Sequence, residues 1–200
     1  MFVKKHQYRV IRNFISKERA ANICNYFLFK RKVAKAFFDN GGKDTDETYV
    51  YGTFCDPQVP NVYCSYSDFV LEHLLEESVP KIYKYSKIKV VPTYTFMRIY
   101  EKGSILTEHK DRNSCEISAT LHCGGAKWPF YVYDKKDIRI DLTPGDCLIY
   151  RGCEIIHWRE PLKGNYCVQA FMHYNDVKGP FVKKNKYDRR KYLGLPYVSE

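Results

Sequence analysis

Apolar residues recur at helical spacing early in this chain and at alternating or short-run spacing later. Ala20, Ile23, Cys24, Phe27 and Leu28 fall on one face of a helix that Ser16 can cap, because its hydroxyl can accept from a free N–H of the first turn. Val70, Leu71, Leu74 and Leu75 mark a second helix begun by Ser67 or Asp68, with Pro80 near its end or at a kink. Between them, Asn40-Gly41-Gly42-Lys43-Asp44 and Asp56-Pro57-Gln58-Val59-Pro60-Asn61 are loops rich in turn residues. From Ile88 onward the pattern shortens to β-rich runs, roughly 88–100, 115–122, 128–133, 137–142, 146–151 and 165–174, separated by Gly, Asp and Lys clusters. Helices first and short strands afterwards predict a mainly β fold with flanking helices (α+β), the helices buttressing a sandwich or jelly roll.

The chain has neither a repeat nor an interdomain linker, so one domain is expected over 1–177, with a helical part 14–85, a β core 88–176 and a basic C-terminal extension 178–200. Its 200 residues, 44% hydrophobic and 16% aromatic, are enough to build a core, which excludes disorder as the default. No run approaches the ~20 apolar residues of a membrane span, and Met1-Phe2-Val3-Lys4-Lys5-His6 lacks the apolar stretch of a signal peptide, so no membrane partner and a cytoplasmic, reducing setting are expected. The eight cysteines are dispersed without a Cys-x-x-Cys pair, which favours reduced, buried thiols over disulfides or zinc. A net charge of +10 is partly local, since Lys178, Lys183, Lys184, Lys186, Arg189, Arg190 and Lys191 crowd the C-terminus. That tail is either a solvated extension or a contact for nucleic-acid phosphates.

His109-Lys110-Asp111, with His157 far downstream, changes the picture from fold to chemistry. Alternate residues of an extended strand share a face, so His109 and Asp111 can meet one ion while Lys110 points away. A remote histidine then completes the two-imidazole, one-carboxylate set of a non-haem Fe(II) site, leaving coordination positions open. The alternative is a core or loop His157 and an exposed His109. His122, Cys123 and His173 lack regular zinc spacing and are expected to be ordinary strand residues.

The order Tyr94-x-x-x-Arg98-x-Tyr100, His109-x-Asp111-Arg112, Leu142-x-Pro144-Gly145-Asp146 and His157 resembles the 2-oxoglutarate and Fe(II)-dependent dioxygenases of the prolyl 4-hydroxylase-like branch. More narrowly, the blocks Asp111-Arg112-x-Ser114-Cys115-Glu116-Ile117-Ser118 and His157-Trp158-Arg159-Glu160-Pro161 are similar to uncharacterised members from viruses, phages and marine microbes. The resemblance runs from about residue 8 to about residue 176. It implies a double-stranded β-helix (jelly roll, cupin-like), with Fe(II), 2-oxoglutarate and O2 as cofactor and co-substrates, and ascorbate as a possible reductant. If the source is viral, host cytoplasm is the expected location. The implied reaction is hydroxylation of an unactivated C–H bond in a peptide, protein or small-molecule substrate, most simply a peptidyl (prolyl-like) or amino-acid side chain, with release of succinate and CO2. A nucleic-acid-directed oxygenase or demethylase and a non-catalytic cupin-like binding module are the alternatives.

Members of the family commonly place a Lys or Arg about ten positions after the distal histidine, to hold the far carboxylate of 2-oxoglutarate. Here that region is Tyr166-Cys167-Val168-Gln169, which has no base. Alternation puts Tyr94, Phe96, Arg98 and Tyr100 on one face of their strand, and the family counterpart of Tyr100 faces the co-substrate, so Arg98 is the first candidate anchor. Arg159 is the second, or could hold substrate at the pocket mouth, while Arg112 could pair with Glu116. Thr120 and Ser118 are candidate hydroxyl donors to 2-oxoglutarate, and Trp128-Pro129-Phe130 and Trp158 are expected to pack around the mouth.

Overall fold

The computed structural model of the chain describes residues 7–43 and 48–196. The Met1–His6 stretch, Asp44 of the first loop and residues 197–200 of the extension lie outside the described residues. In chain order the elements are β1 (Tyr8–Ile11), α1 (Lys17–Asp39), a helical turn α2 (Thr48–Tyr51), β2 (Tyr63–Tyr66), α3 (Phe69–Ser86), β3 (Val90–Glu101), β4 (Leu106–His109), β5 (Ile117–Gly125), β6 (Phe130–Tyr133), β7 (Asp137–Ile140), β8 (Cys147–Tyr150), β9 (His157–Arg159), β10 (Tyr166–Asp176) and α4 (Val182–Asn185). Both long helices begin where their caps predict. Ser16 Oγ accepts from Arg19 N at 3.1 Å, and Asp68 rather than Ser67 caps α3, accepting from Val70 N at 2.9 Å. Pro80 lies inside α3, and the helix runs on to Ser86 before Lys87 closes it in the left-handed region.

Ten antiparallel strands form two sheets, a larger one ordered β1-β8-β5-β10-β3-β2 and a smaller one ordered β4-β9-β6-β7. Strand alternation divides the large sheet into two faces. Met97, Ile99, Ala119, Leu121, Val168, Ala170 and Met172 share one buried cluster with Ala20, Ile23, Phe27, Leu71, Leu74 and Leu75 of α1 and α3, so the helices cover that face. Tyr100, Cys167 and Phe171 belong to the other, where Leu106 and Trp128 pack on them. Phe130, Val132 and Ile140 of the small sheet meet Leu148 and Tyr150 of the large one. The two sheets thus close over an interior that carries the candidate site. The short strands β1, β2, β4 and β9 were not among the expected runs; each has at most four residues.

The C-terminal segment is solvated only in part: Lys178, Lys183, Lys184, Lys186, Arg189 and Lys191 are exposed, while two of its charged residues turn inward. Arg190 is buried and donates to Glu72 Oε2 and to Thr93 O, both at 3.0 Å. Asp188, also buried, accepts from Tyr66 Oη and Arg112 Nη2 at 2.7 Å and from Ser114 Oγ at 3.1 Å. Tyr187, Asp188 and Arg189 all have positive φ (51°, 55° and 67°), which costs non-glycine residues on the order of 1 kcal/mol each. Three donors on one buried carboxylate hold that turn against the cost. Part of the basic charge is therefore spent inside the molecule.

Asp146 ties β1 to the turn before β8. Its carboxylate accepts from Arg12 Nη1 (2.7 Å), Asn13 N (3.0 Å), and Thr143 N and Oγ1 (2.9 and 2.8 Å). Burial alone would raise its pKa, but the Thr143 N–H and the other donors outweigh it and hold the group at about 2. Because the folded pKa is depressed, the stabilisation is present above the unfolded value near 4 and is lost as pH falls through about 2. Asp146→Asn is expected to cost about 2 kcal/mol at neutral pH, with the gap to wild type closing towards pH 2. Urea unfolding at pH 7 and pH 3 checks this; equal stabilities at pH 7 would remove the anchor role.

Candidate metal centre

The site grows from one strand register. In β4 and β9, His109 stands opposite His157, and their rings lie 4.2 Å apart. β4 ends at His109, so Asp111 is not on the same regular strand, as the alternation argument had it. Its extended course is kept by a backbone bond from Asp111 N to Gly152 O at 2.9 Å. The outcome is a cluster in which Asp111 Oδ1 lies 3.6 Å from His109 Nε2 and 3.4 Å from His157 Nε2, and the three ligand atoms all fall within 4.8 Å of one another. Ligands about 2.1 Å from one ion and mutually cis stand about 3 Å apart, so small adjustments suffice to close on a metal.

Neighbouring groups aim each ligand. His109 Nδ1 bonds Thr107 O at 2.8 Å and His157 Nδ1 bonds Ile155 O at 3.0 Å. A carbonyl can only accept, so each Nδ1 carries the proton and each Nε2 presents a lone pair to the centre. Asp111 Oδ2 accepts from Ser118 Oγ at 2.8 Å, and Ser118 Oγ in turn meets His173 Nδ1 at 3.0 Å, leaving Oδ1 to face the imidazoles. A Cβ at Gly152 would collide with Asp111 Oδ2, Cys115 O and Ser118 Oγ, so the close approach requires glycine there. His173 itself is pressed to about 4 by burial, stays neutral, and leans on the Tyr94 ring at 4.6 Å.

A cavity of about 390 Å³ opens from these ligands. Tyr94, Phe96, Arg98, Phe130, Tyr150, Phe171 and His173 line it. Arg98 faces it, as strand alternation predicts, but its guanidinium is already engaged: Nε reaches Asp56 Oδ2 at 2.6 Å, Nη2 reaches Asp56 Oδ1 at 3.2 Å and Gln58 Oε1 at 2.8 Å, and Nη1 reaches Tyr100 Oη at 3.3 Å. Asp56 sits in the turn-rich loop, where nothing in the sequence pairs it with Arg98. Tyr94 and Tyr100 are six residues apart on β3, about 20 Å at the rise of a strand, so they cannot both touch one five-carbon co-substrate. Tyr94 belongs instead to the mouth, bonding Cys115 Sγ at 3.1 Å under the Arg112 guanidinium.

Arg159 is in a different condition. It is 1% exposed, its Nη1 donates to Trp128 O, and its guanidinium lies 4.8 and 4.9 Å from the Trp128 and Phe130 ring centres. Among the described residues no acceptor reaches its Nε or Nη2, and no acid pairs with it. Burial pushes its pKa down, with only Cys167, Tyr100 and Tyr150 opposing. An unpaired interior cation is costly, so this end of the interior fits an anion.

Other expected roles change. Arg112 pairs with Asp188 rather than Glu116, which accepts from Asp176 N and Asn175 Nδ2. Thr120 Oγ1 donates to Gln169 Oε1 at 3.3 Å, and Ser118 serves Asp111. Trp128 is buried beneath Tyr100, and Trp158 turns away from the interior to stack on Tyr131, so of the aromatics expected around the mouth only Phe130 lines the cavity. All eight cysteines are free, six of them buried, and no helix among the described residues is long and apolar enough to cross a membrane.

No protein-family model matches the chain, and no curated protein matches it. Solved structures do. A Pseudomonas putida prolyl-4-hydroxylase aligns at TM-score 0.59 and 9% identity over 86% of this chain and 95% of that one. The viral collagen prolyl hydroxylase vCPH from Paramecium Bursaria Chlorella virus-1, as a 2OG complex, aligns at 0.57 and 12% over 86% and 98%. HygX from Streptomyces hygroscopicus, with nickel and 2-oxoglutarate bound, aligns at 0.56 and 10% over 86% and 84%. At these identities the likeness is one of fold: the chain is a double-stranded β-helix of the kind found in 2OG-Fe(II) oxygenases.

Alanine at His109, Asp111 or His157 is expected to abolish tight Mn(II) binding in anaerobic calorimetry. Ser118→Ala should weaken it about tenfold by freeing the Asp111 carboxylate. Wild-type affinity in Ser118→Ala would show that the hydroxyl does not orient the ligand.

Proposed function

We propose that this protein is a 2-oxoglutarate- and Fe(II)-dependent oxygenase that hydroxylates an unactivated C–H bond, in a peptidyl (prolyl-like) or amino-acid side chain. One observation carries the reading: the converging His109, Asp111 and His157 ligand atoms lie at the strand face of β9 that also carries the fully buried Arg159, two residues beyond the distal histidine, whose guanidinium has no acid partner among the described residues. A 2-oxo acid bearing a second carboxylate matches both features. His109, Asp111 and His157 would hold Fe(II), and Asp111 would offset part of its charge. Arg159 would take the far carboxylate, with the Tyr100 hydroxyl beside it. Arg98, committed to Asp56, would shape the cavity. When bound, Fe(II) and 2-oxoglutarate would activate O2, the oxidative decarboxylation of 2-oxoglutarate supplying the electrons, so that one oxygen atom enters the C–H bond and the other enters succinate as CO2 leaves.

The chain's own residues prepare the rest. Phe96, Phe171 and the Tyr94 ring give the cavity apolar walls that exclude water and fit a small ring such as proline. The fold likeness to two prolyl hydroxylases supports that class of substrate.

The test separates the two arginines. Arg159→Met keeps the side chain's length and removes an uncompensated interior charge, so the ligand-free protein should be as stable as wild type or more so. Its affinity for 2-oxoglutarate, titrated into Mn(II)-loaded protein without oxygen, should fall about a hundredfold, while Arg98→Met should lose less than about tenfold. With Fe(II), ascorbate and proline-containing peptides, wild type should form succinate. If Mn(II)-loaded wild type takes up no 2-oxoglutarate, the assignment is wrong.

A further inference from the structure

Close to Arg159, a second buried donor has no acceptor among the described residues. His122 on β5 is 1% exposed and stands in register with Gln169 on β10. Gln169 Oε1 accepts from Thr120 Oγ1 at 3.3 Å, which turns the amide nitrogen towards His122 Nδ1, 2.7 Å away. An amide nitrogen can only donate, so Nδ1 accepts and the ring proton sits on Nε2. That Nε2–H is the atom without a partner. The neighbouring Arg159 charge, added to burial, keeps the ring neutral, with a pKa near 4. Unmet N–H groups on two neighbouring buried side chains, one of them charged, call for a single acceptor with several lone pairs.

Resting on the proposed co-substrate, we infer that His122 is a third donor to the far carboxylate of 2-oxoglutarate, beside Arg159 and Tyr100, and that Thr120 and Gln169 act as positioning residues which hold its Nε2–H towards that group. The chemistry also sets the class of anion. One guanidinium with neutral imidazole and phenol donors balances a single negative charge, so the subsite takes a carboxylate in preference to a dianionic phosphate.

The experiment uses anaerobic Mn(II)-loaded protein and two probes, 2-oxoglutarate and 2-oxopentanoate, which keeps the 2-oxo acid end but lacks the far carboxylate. His122→Phe removes the donor at similar size. We expect its Kd for 2-oxoglutarate to rise about tenfold or more, with its Kd values for 2-oxopentanoate and Mn(II) unchanged. In wild type, the ¹⁵N-bound Nε2 proton of His122 should be visible by NMR in the Zn(II)-loaded protein and should shift downfield when 2-oxoglutarate is added. This second measurement stands even if the variant does not fold. An unchanged 2-oxoglutarate Kd in folded His122→Phe, equal losses for both probes, or an Nε2 proton unmoved by 2-oxoglutarate would overturn the inference while leaving the oxygenase reading in place. Failure of wild type to bind 2-oxoglutarate at all would remove both.

Discussion

The site depends on the alternation of a three-residue strand. Regular pairing with β6, and pairing with β4 across one irregularity between Leu106 and His109, set the register of β9, so His157 and Arg159 both face the interior while Trp158 faces out to Tyr131. A slip of one residue would exchange the two sets, placing an indole where a ligand stands and exposing the guanidinium. The same pairing sets His157 opposite His109, which converts a long sequence separation into a ring contact. The proposed metal ligand and the proposed anion ligand are therefore consequences of one register, about 7 Å apart along a single strand.

A second constraint is that buried polar groups must be met. Around the metal ligands they are: both imidazole Nδ1 atoms reach backbone carbonyls, and Ser118 binds the outer oxygen of Asp111. At the mouth, Asp188 collects Tyr66, Arg112 and Ser114, so the C-terminal segment braces from behind two residues, Tyr66 and Arg112, that line the cavity. Among the described residues, the buried side-chain donors left without a partner belong to Arg159 and His122, and the one such acceptor, Asn175 Oδ1, lies at another strand position, so on the proposed reading these donors await a ligand.

Much of this was legible in the chain because it is local. Ser16 and the apolar spacing behind it mark α1, and the long alternating run before Tyr100 marks β3 and the inward face of Arg98. His109 and Asp111 are two residues apart, so their meeting needed only an extended backbone. What was missed is what pairing decides. Short strands such as β1, β4 and β9, flanked or interrupted by charged residues at Arg12, Glu108, Lys110 and Glu160, lack the longer apolar or alternating run that marked the equally short β6, β7 and β8. That Arg98 is already paired could not be read because its partner, Asp56, is distant in sequence and delivered by a loop. The basic look of the C-terminus concealed Asp188 and Arg190, whose partners lie on other elements. His122 looked like an ordinary strand histidine because its tautomer is set across the sheet by Gln169.

Charge balance links these pieces on the proposed reading. Beside the mutually neutralised Arg98–Asp56 pair, the interior holds the Asp111 carboxylate and the Arg159 guanidinium, which face different groups and do not neutralise each other by contact. A divalent metal ion together with a dianionic 2-oxo dicarboxylate adds charges that cancel, so the loaded interior is neutral as a whole, with each charge beside its opposite. The histidines must be neutral for this to hold. The carbonyl-bound Nδ1 atoms of His109 and His157 leave Nε2 unprotonated for the metal, and burial beside Arg159 keeps His122 uncharged. A lysine or arginine at position 122 would add a second cation to a site matched to one carboxylate, and the desolvation cost of that charge would fall on the ligand-free protein. A neutral donor fixed by a glutamine meets the oxygen atoms without that cost, which is a physical reason for the Thr120, Gln169 and His122 chain to stand where it does.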